Sequence, residues 1–135
     1  MVVFISIFLF NCGGGDSSPA VYIPPQHAPS ISNLYFYPAS ATVGQGSGAV
    51  TIYFDFDFFD QDANLKSLTI NYSDTLGNSG TIPGDLSLLH GMTSGVCYAT
   101  VVGDTSQART VYFEFYVTDG TGLKSNKLYG SWIVS

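Results

Sequence analysis

The sequence predicts an all-β fold, an antiparallel β-sandwich of about seven strands. Three observations predict it. The first is the stretch Val50–Leu65, VTIYFDFDFFDQDANL, where Val50, Ile52, Phe54, Phe56 and Phe58 alternate with Thr51, Tyr53, Asp55 and Asp57. A period of two marks a strand buried on one face only. The second is the recurrence of strand-length runs, separated by Gly, Pro, Asn and Asp, with no helical period among them. The third is composition: aromatic residues make up 15% of the chain and there are 15 glycines, which suits strands joined by many turns.

The elements follow in order from Ile31. A first strand, Ile31 to Tyr37, stops at Pro38, and Gly44-Gln45-Gly46-Ser47-Gly48 forms a loop before the Val50 strand. Leu65 to Tyr72 turns Leu68, Ile70 and Tyr72 inward and Ser67, Thr69 and Asn71 outward. Asp74 to Gly80 is a turn, and Thr81-Ile82 makes a short edge strand limited by Pro83. Gly84 to Gly95 is a loop whose leucines, Leu86, Leu88 and Leu89, tuck against the domain. Val96 to Val102 follows. Arg109 to Thr118 then alternates again, with Val111, Phe113, Phe115 and Val117 inward and Tyr112, Glu114 and Tyr116 outward. Leu123 to Val134 is the last strand and carries Trp132. Phe56 and Phe113 are expected to meet across the two sheets.

Length and charge narrow the function. A chain of 135 residues is large enough for one core without staples. Four basic residues against ten acidic ones give a net charge of -6, so there is no basic footprint for nucleic acid. No apolar run reaches the roughly 18–20 residues that a membrane span requires.

The start of the chain has a different character. Residues 1 to 10, MVVFISIFLF, are apolar apart from Ser6, like the apolar segment of an export signal. Leu9-Phe10-Asn11-Cys12 and then Gly13-Gly14-Gly15-Asp16-Ser17-Ser18 follow. This junction resembles the lipobox of bacterial lipoproteins. The resemblance implies cleavage before Cys12, lipidation of that cysteine, and a lipid-anchored place in the bacterial cell envelope, facing the periplasm or exposed at the surface. It divides the chain into a signal segment (1–11), a lipidated cysteine with a Gly/Ser/Pro linker (12–30) and a sandwich domain (31–135). The linker, with Pro19, Pro24, Pro25 and Pro29, spans about 20–25 Å if flexible. His27 lies in it and is expected to be solvated.

Within the domain, Phe54-x-Phe56 leading into Asp60-Gln61-Asp62-Ala63-Asn64-Leu65 and the turn Val117-Thr118-Asp119-Gly120-Thr121-Gly122-Leu123 resemble bacterial immunoglobulin-like modules, including the cadherin-like and fibronectin type III-like domains of surface proteins. In that topology the loops after the second and sixth strands share one end of the sandwich. Asp60, Asp62 and Asn64, with Asp119, then form a candidate calcium site, because oxygens at i, i+2 and i+4 can wrap a hard cation. The competing reading is a turn whose Asp and Asn side chains bond their own backbone.

Tyr112, Glu114 and Tyr116 form a candidate ligand face beside Ser67, Thr69 and Asn71, since tyrosines among short polar groups stack on a sugar or anchor a peptide. Tyrosine also simply suits half-exposed strands. Cys97, mid-strand, reads as a small core residue, and no spacing of Ser, His, Asp or Cys for nucleophilic catalysis appears. The functional expectation is a non-enzymatic binding, adhesion or spacer module held to a membrane by a lipid anchor, with a protein or glycan ligand. The alternative is an accessory carbohydrate-binding domain that serves a partner enzyme.

Overall fold

The computed structural model describes Ile5–Ser6 and residues 21–135. It is an immunoglobulin-like β-sandwich, and the strands are β1 (Ile5–Ser6), β2 (Val21–Tyr22), β3 (Ser30–Tyr37), β4 (Ser40–Ala41), β5 (Ala49–Phe59), β6 (Leu65–Asp74), β7 (Ser79–Asp85), β8 (Ser94–Asp104), β9 (Arg109–Asp119) and β10 (Leu128–Val134). β1 and β2 pair with each other; the remaining eight make a three-stranded sheet, β3-β5-β8, and a five-stranded sheet, β4-β10-β9-β6-β7.

The period-two pattern decides which side chains enter the core. Ile52, Phe54, Phe56 and Phe58 of β5 are buried, as are Phe113, Phe115 and Val117 of β9 and Trp132 of β10. Across the sheets Phe54 meets Phe115 at 5.0 Å and Phe113 at 5.3 Å between ring centroids, while Phe56 reaches Phe115 at 6.4 Å. The expected Phe56–Phe113 pair is therefore shifted by one inward position: Phe113 packs on Phe54.

Three elements differ from the sequence-based expectation. The sandwich has an eighth strand, the two-residue β4, which pairs in parallel with the end of β10. β7 runs through Pro83, which stands opposite Thr69; proline is tolerated there because β7 is an edge strand. The last strand begins at Leu128 rather than near Leu123, because Asp119 ties residues 121 to 123 into a turn. Of the loop leucines, Leu86 is buried and Leu89 packs on the core, whereas Leu88 is fully exposed.

Candidate functional site

The two edge strands facing each other across the sandwich, β7 and β8, turn glycines and aliphatic residues inward rather than aromatic ones. On β7 these are Gly80, Ile82 and Gly84; on β8 they include Ala99, Val101 and Gly103. Large side chains fill the centre of the core, but the seam between these edges is left underfilled. A cavity of about 440 Å³ lies there, walled by Ile82, Val101, Val111, Phe113 and Trp132. A second, of about 190 Å³, continues along the seam beneath Tyr98–Thr100 and shares Ile82. The larger one falls within the size range of small-molecule sites.

Trp132 sets the depth of this cleft. It is fully buried, and a Cβ on Gly103 would stand 2.6 Å from its ring, so the glycine is what lets the indole lie against β8. Its indole N–H is buried and has no acceptor in the protein among the described residues. A buried tryptophan N–H normally finds one, and leaving it unmade is costly.

The mouth of the cleft is polar and tied across both sheets. Arg109 Nη1 donates to Asp74 Oδ2 at 3.3 Å on β6, and its Nη2 donates to Asp104 Oδ2 at 2.9 Å on β8. Asp74 also accepts the Asn78 side-chain amide and the backbone N–H groups of Leu76 and Asn78. These bonds, that of the Asn78 side chain first, hold its carboxyl below the usual carboxylate range. The backbone N–H of Ser106 does the same for Asp104, with Arg109 adding to it. One guanidinium between two carboxylates leaves the mouth with a residual negative charge. Such a rim repels an anionic group.

β6 and β9 pair as expected, with Thr69 opposite Tyr116 and Asn71 opposite Glu114. Glu114 accepts the Asn71 amide at 3.1 Å and pairs with Lys127 at 3.1 Å, and these contacts lower its pKa. The Tyr116 ring has the Lys124 ammonium 4.9 Å from its centroid. Of the three, Tyr112 is left exposed.

The loops carrying Asp60, Asp62, Asn64 and Asp119 do share one end, where the Gly120 N–H donates to the Asn64 carbonyl at 2.8 Å. Asp60 is buried and accepts the backbone N–H groups of Asp62 (3.1 Å) and Asn64 (2.9 Å). Asp62 takes the backbone N–H of His27 at 2.6 Å and its ring Nδ1 at 3.0 Å, chiefly the former holding its carboxyl below the usual range. His27 is thus docked on the domain rather than free in the linker. Asp119 Oδ1 accepts three hydrogen bonds from Thr121 and Leu123. Asn64 Oδ1 and Asp119 Oδ2 are buried and unpaired. No three His, Cys, Asp or Glu side chains converge on a metal position among the described residues.

Cys97 is buried and free, and desolvation pushes its thiol up to about 11. Cys12 and the rest of the lipobox-like junction lie outside the described residues. No described helix is long and apolar enough to cross a membrane. The sequence places Trp132 on the last strand without marking it as a site residue, and only the register of β8 brings Gly103 over it.

Neither a protein-family model nor a curated protein matches the sequence. Among solved structures, the chain is similar to a Niemann-Pick type C2 protein from the Japanese carpenter ant, with a TM-score of 0.51 and 8% identity over 83% of this chain and 96% of that one. A structural-genomics target solved by X-ray aligns with a TM-score of 0.43 and 10% identity, over 82% of this chain and 84% of that one. A Pseudomonas fluorescens alkylpurine DNA glycosylase bound to DNA with an abasic site analog aligns at 0.40 and 12%, over 77% of this chain and 30% of that one. The likeness to the ant protein is one of fold: both are immunoglobulin-like β-sandwiches.

Proposed function

We propose that this chain is an exported, lipid-anchored, non-enzymatic binding protein whose sandwich holds a small, uncharged, largely apolar ligand in the cleft between β7 and β8. One observation carries the reading: a cavity of about 440 Å³ with apolar walls and a polar mouth, bordered by the fully buried Trp132, whose indole N–H has no acceptor among the described residues. The walls supply affinity through apolar burial, the indole selects an oxygen acceptor on the ligand, and the acidic mouth disfavours carboxylates. The anchor rests on the Leu9–Cys12 junction and its glycine tether.

Titration with the apolar fluorophore N-phenyl-1-naphthylamine tests the cleft. Saturable binding at one site, displaced by the neutral ester methyl octanoate, is expected. Val101→Phe, which fills the cavity, should weaken it at least tenfold. Binding of equal strength in Val101→Phe would place the fluorophore elsewhere and contradict the reading.

A separate reading for the loop end is calcium held with the help of Asn64 Oδ1 and Asp119 Oδ2. It is favoured by both oxygens being buried without a partner, on chain segments that pair with each other. Calcium should then raise the melting midpoint where magnesium does not, and Asp119→Asn should remove the shift. A midpoint that ignores calcium rules the site out.

A further inference from the structure

The outward face of the three-stranded sheet repeats the chemistry of the opposite face with one component missing. Tyr35 of β3, Asp55 of β5 and Tyr98 of β8 stand side by side in register, and Tyr37 and Tyr53 form the next row. All four tyrosines are more than half exposed. Asp55 is half-buried among them, and its carboxylate accepts no hydrogen bond among the described residues. Asp57 lies two positions on and accepts the Asn33 amide at 2.6 Å.

On the five-stranded sheet, the same pairing of tyrosine and carboxylate is covered by the chain's own cations: Lys124 lies over Tyr116 and Lys127 pairs with Glu114. Lys66, Arg109, Lys124 and Lys127 are the only basic residues in the chain. Lys66 and Arg109 belong to that sheet's strands, and the two others precede its β10. β3, β5 and β8 contain none.

From this asymmetry we infer that the β3-β5-β8 face is a docking surface for a basic peptide segment of a partner protein. The site lies on the outward face of the sheet and meets the cleft only at the edge strand β8, where Tyr98 and Val102 border both. Lysine or arginine heads sit over the tyrosine rings and beside Asp55, as Lys124 and Lys127 do on the other face, through cation–π attraction and charge. Flanking Val96, Val102 and Phe59, all exposed, cover the aliphatic stems. The patch runs about 13 Å along the strands and about 10 Å across them, more than a single ammonium ion covers and enough for several residues of an extended chain.

The test is calorimetric titration of the full chain with a blocked hexapeptide of alternating lysine and glycine. Saturable binding is expected, weakening as salt rises. It should fall at least tenfold in Asp55→Asn and in the Tyr35→Ala/Tyr98→Ala double variant. Tyr98→Phe, which keeps the ring, should retain it, and so should Asp85→Asn, which makes the same change in net charge on β7. If the alanine variant does not fold, Asp55→Asn against Asp85→Asn still decides. Equal binding of the peptide with acetylated lysines, or equal loss in Asp85→Asn, would overturn the assignment. Binding of cellohexaose in place of the peptide would overturn it too, by making the face a glycan site.

Discussion

Arg109 joins the two sheets at the mouth of the cleft, donating to Asp74 on one and to Asp104 on the other. Beneath it the centre of the sandwich is filled by phenylalanines, while the seam at β7 and β8, which carries no inward aromatic, is left underfilled. The molecule is therefore closely packed where its core strands meet and open along one side.

The core makes the first prediction. Phe54 contacts Phe36, Phe113 and Phe115, and truncation of Phe54 or Phe115 to alanine should cost about 3–5 kcal/mol. Tyr53→Ala and Tyr112→Ala, on the outward faces, should each cost less than about 1 kcal/mol. Urea denaturation measures both, and equal losses inside and outside would contradict the register.

Acid should unfold the domain in a defined window. Asp62, Asp74, Asp85, Asp104 and Glu114 all have folded-state pKa values below their ordinary 3.8 or 4.5. Groups depressed in this way stabilise the fold above their unfolded pKa, and the contribution is lost as pH falls through the lower, folded value. The melting midpoint should be level between about pH 6 and 8 and fall below about pH 4. Asp74→Asn should flatten that acid limb; an unchanged limb would mean that Asp74 does not couple to folding.

Cys97 should be inert in the native state. Its thiol is buried and its pKa is raised from 9.0 to about 11, so the thiolate is scarce at neutral pH. A raised pKa stabilises the fold below pH 9, and this contribution fades as pH climbs toward 11. Ellman's reagent should label Cys97 only under denaturant. Rapid labelling of the folded protein would contradict its burial.

Lipidation at Cys12 is checked by mass. Protein recovered from a bacterial host should lack residues 1 to 11 and carry added lipid, and Cys12→Ser should leave the membrane fraction. An uncut chain, or a variant that stays with the membrane, would remove the anchor from the account.

Much of this fold was legible because single residues reveal it: apolar residues enter the core at every second position from Ile52 to Phe58 of β5 and from Val111 to Val117 of β9. The tyrosine face was not. A strict period from Ile31 would turn Asn33, Tyr35 and Tyr37 inward with it. A bulge between Ser32 and Tyr35, with Asn33 at φ 55, reverses the alternation, so Leu34 and Phe36 enter and the tyrosines leave. β8 hid its register in another way, since Val96 and Val102 outside and Cys97 and Val101 inside are alike in polarity. The cleft was illegible for a related reason: a cavity consists of what residues on separate strands leave unfilled between them, and Ile82, Ala99 or Val101 reads in a sequence only as an ordinary strand residue.

The most direct test of the cleft uses the single tryptophan of the chain. Its indole N–H gives one resonance in a nitrogen–proton correlation spectrum. Titration with methyl octanoate should move that resonance downfield and saturably, together with the amides of Val101, Gly103 and Val111, and the same ligand should leave it in place in Val101→Phe. An indole resonance that stays fixed while the ester binds would contradict the assignment of the cleft as the ligand site.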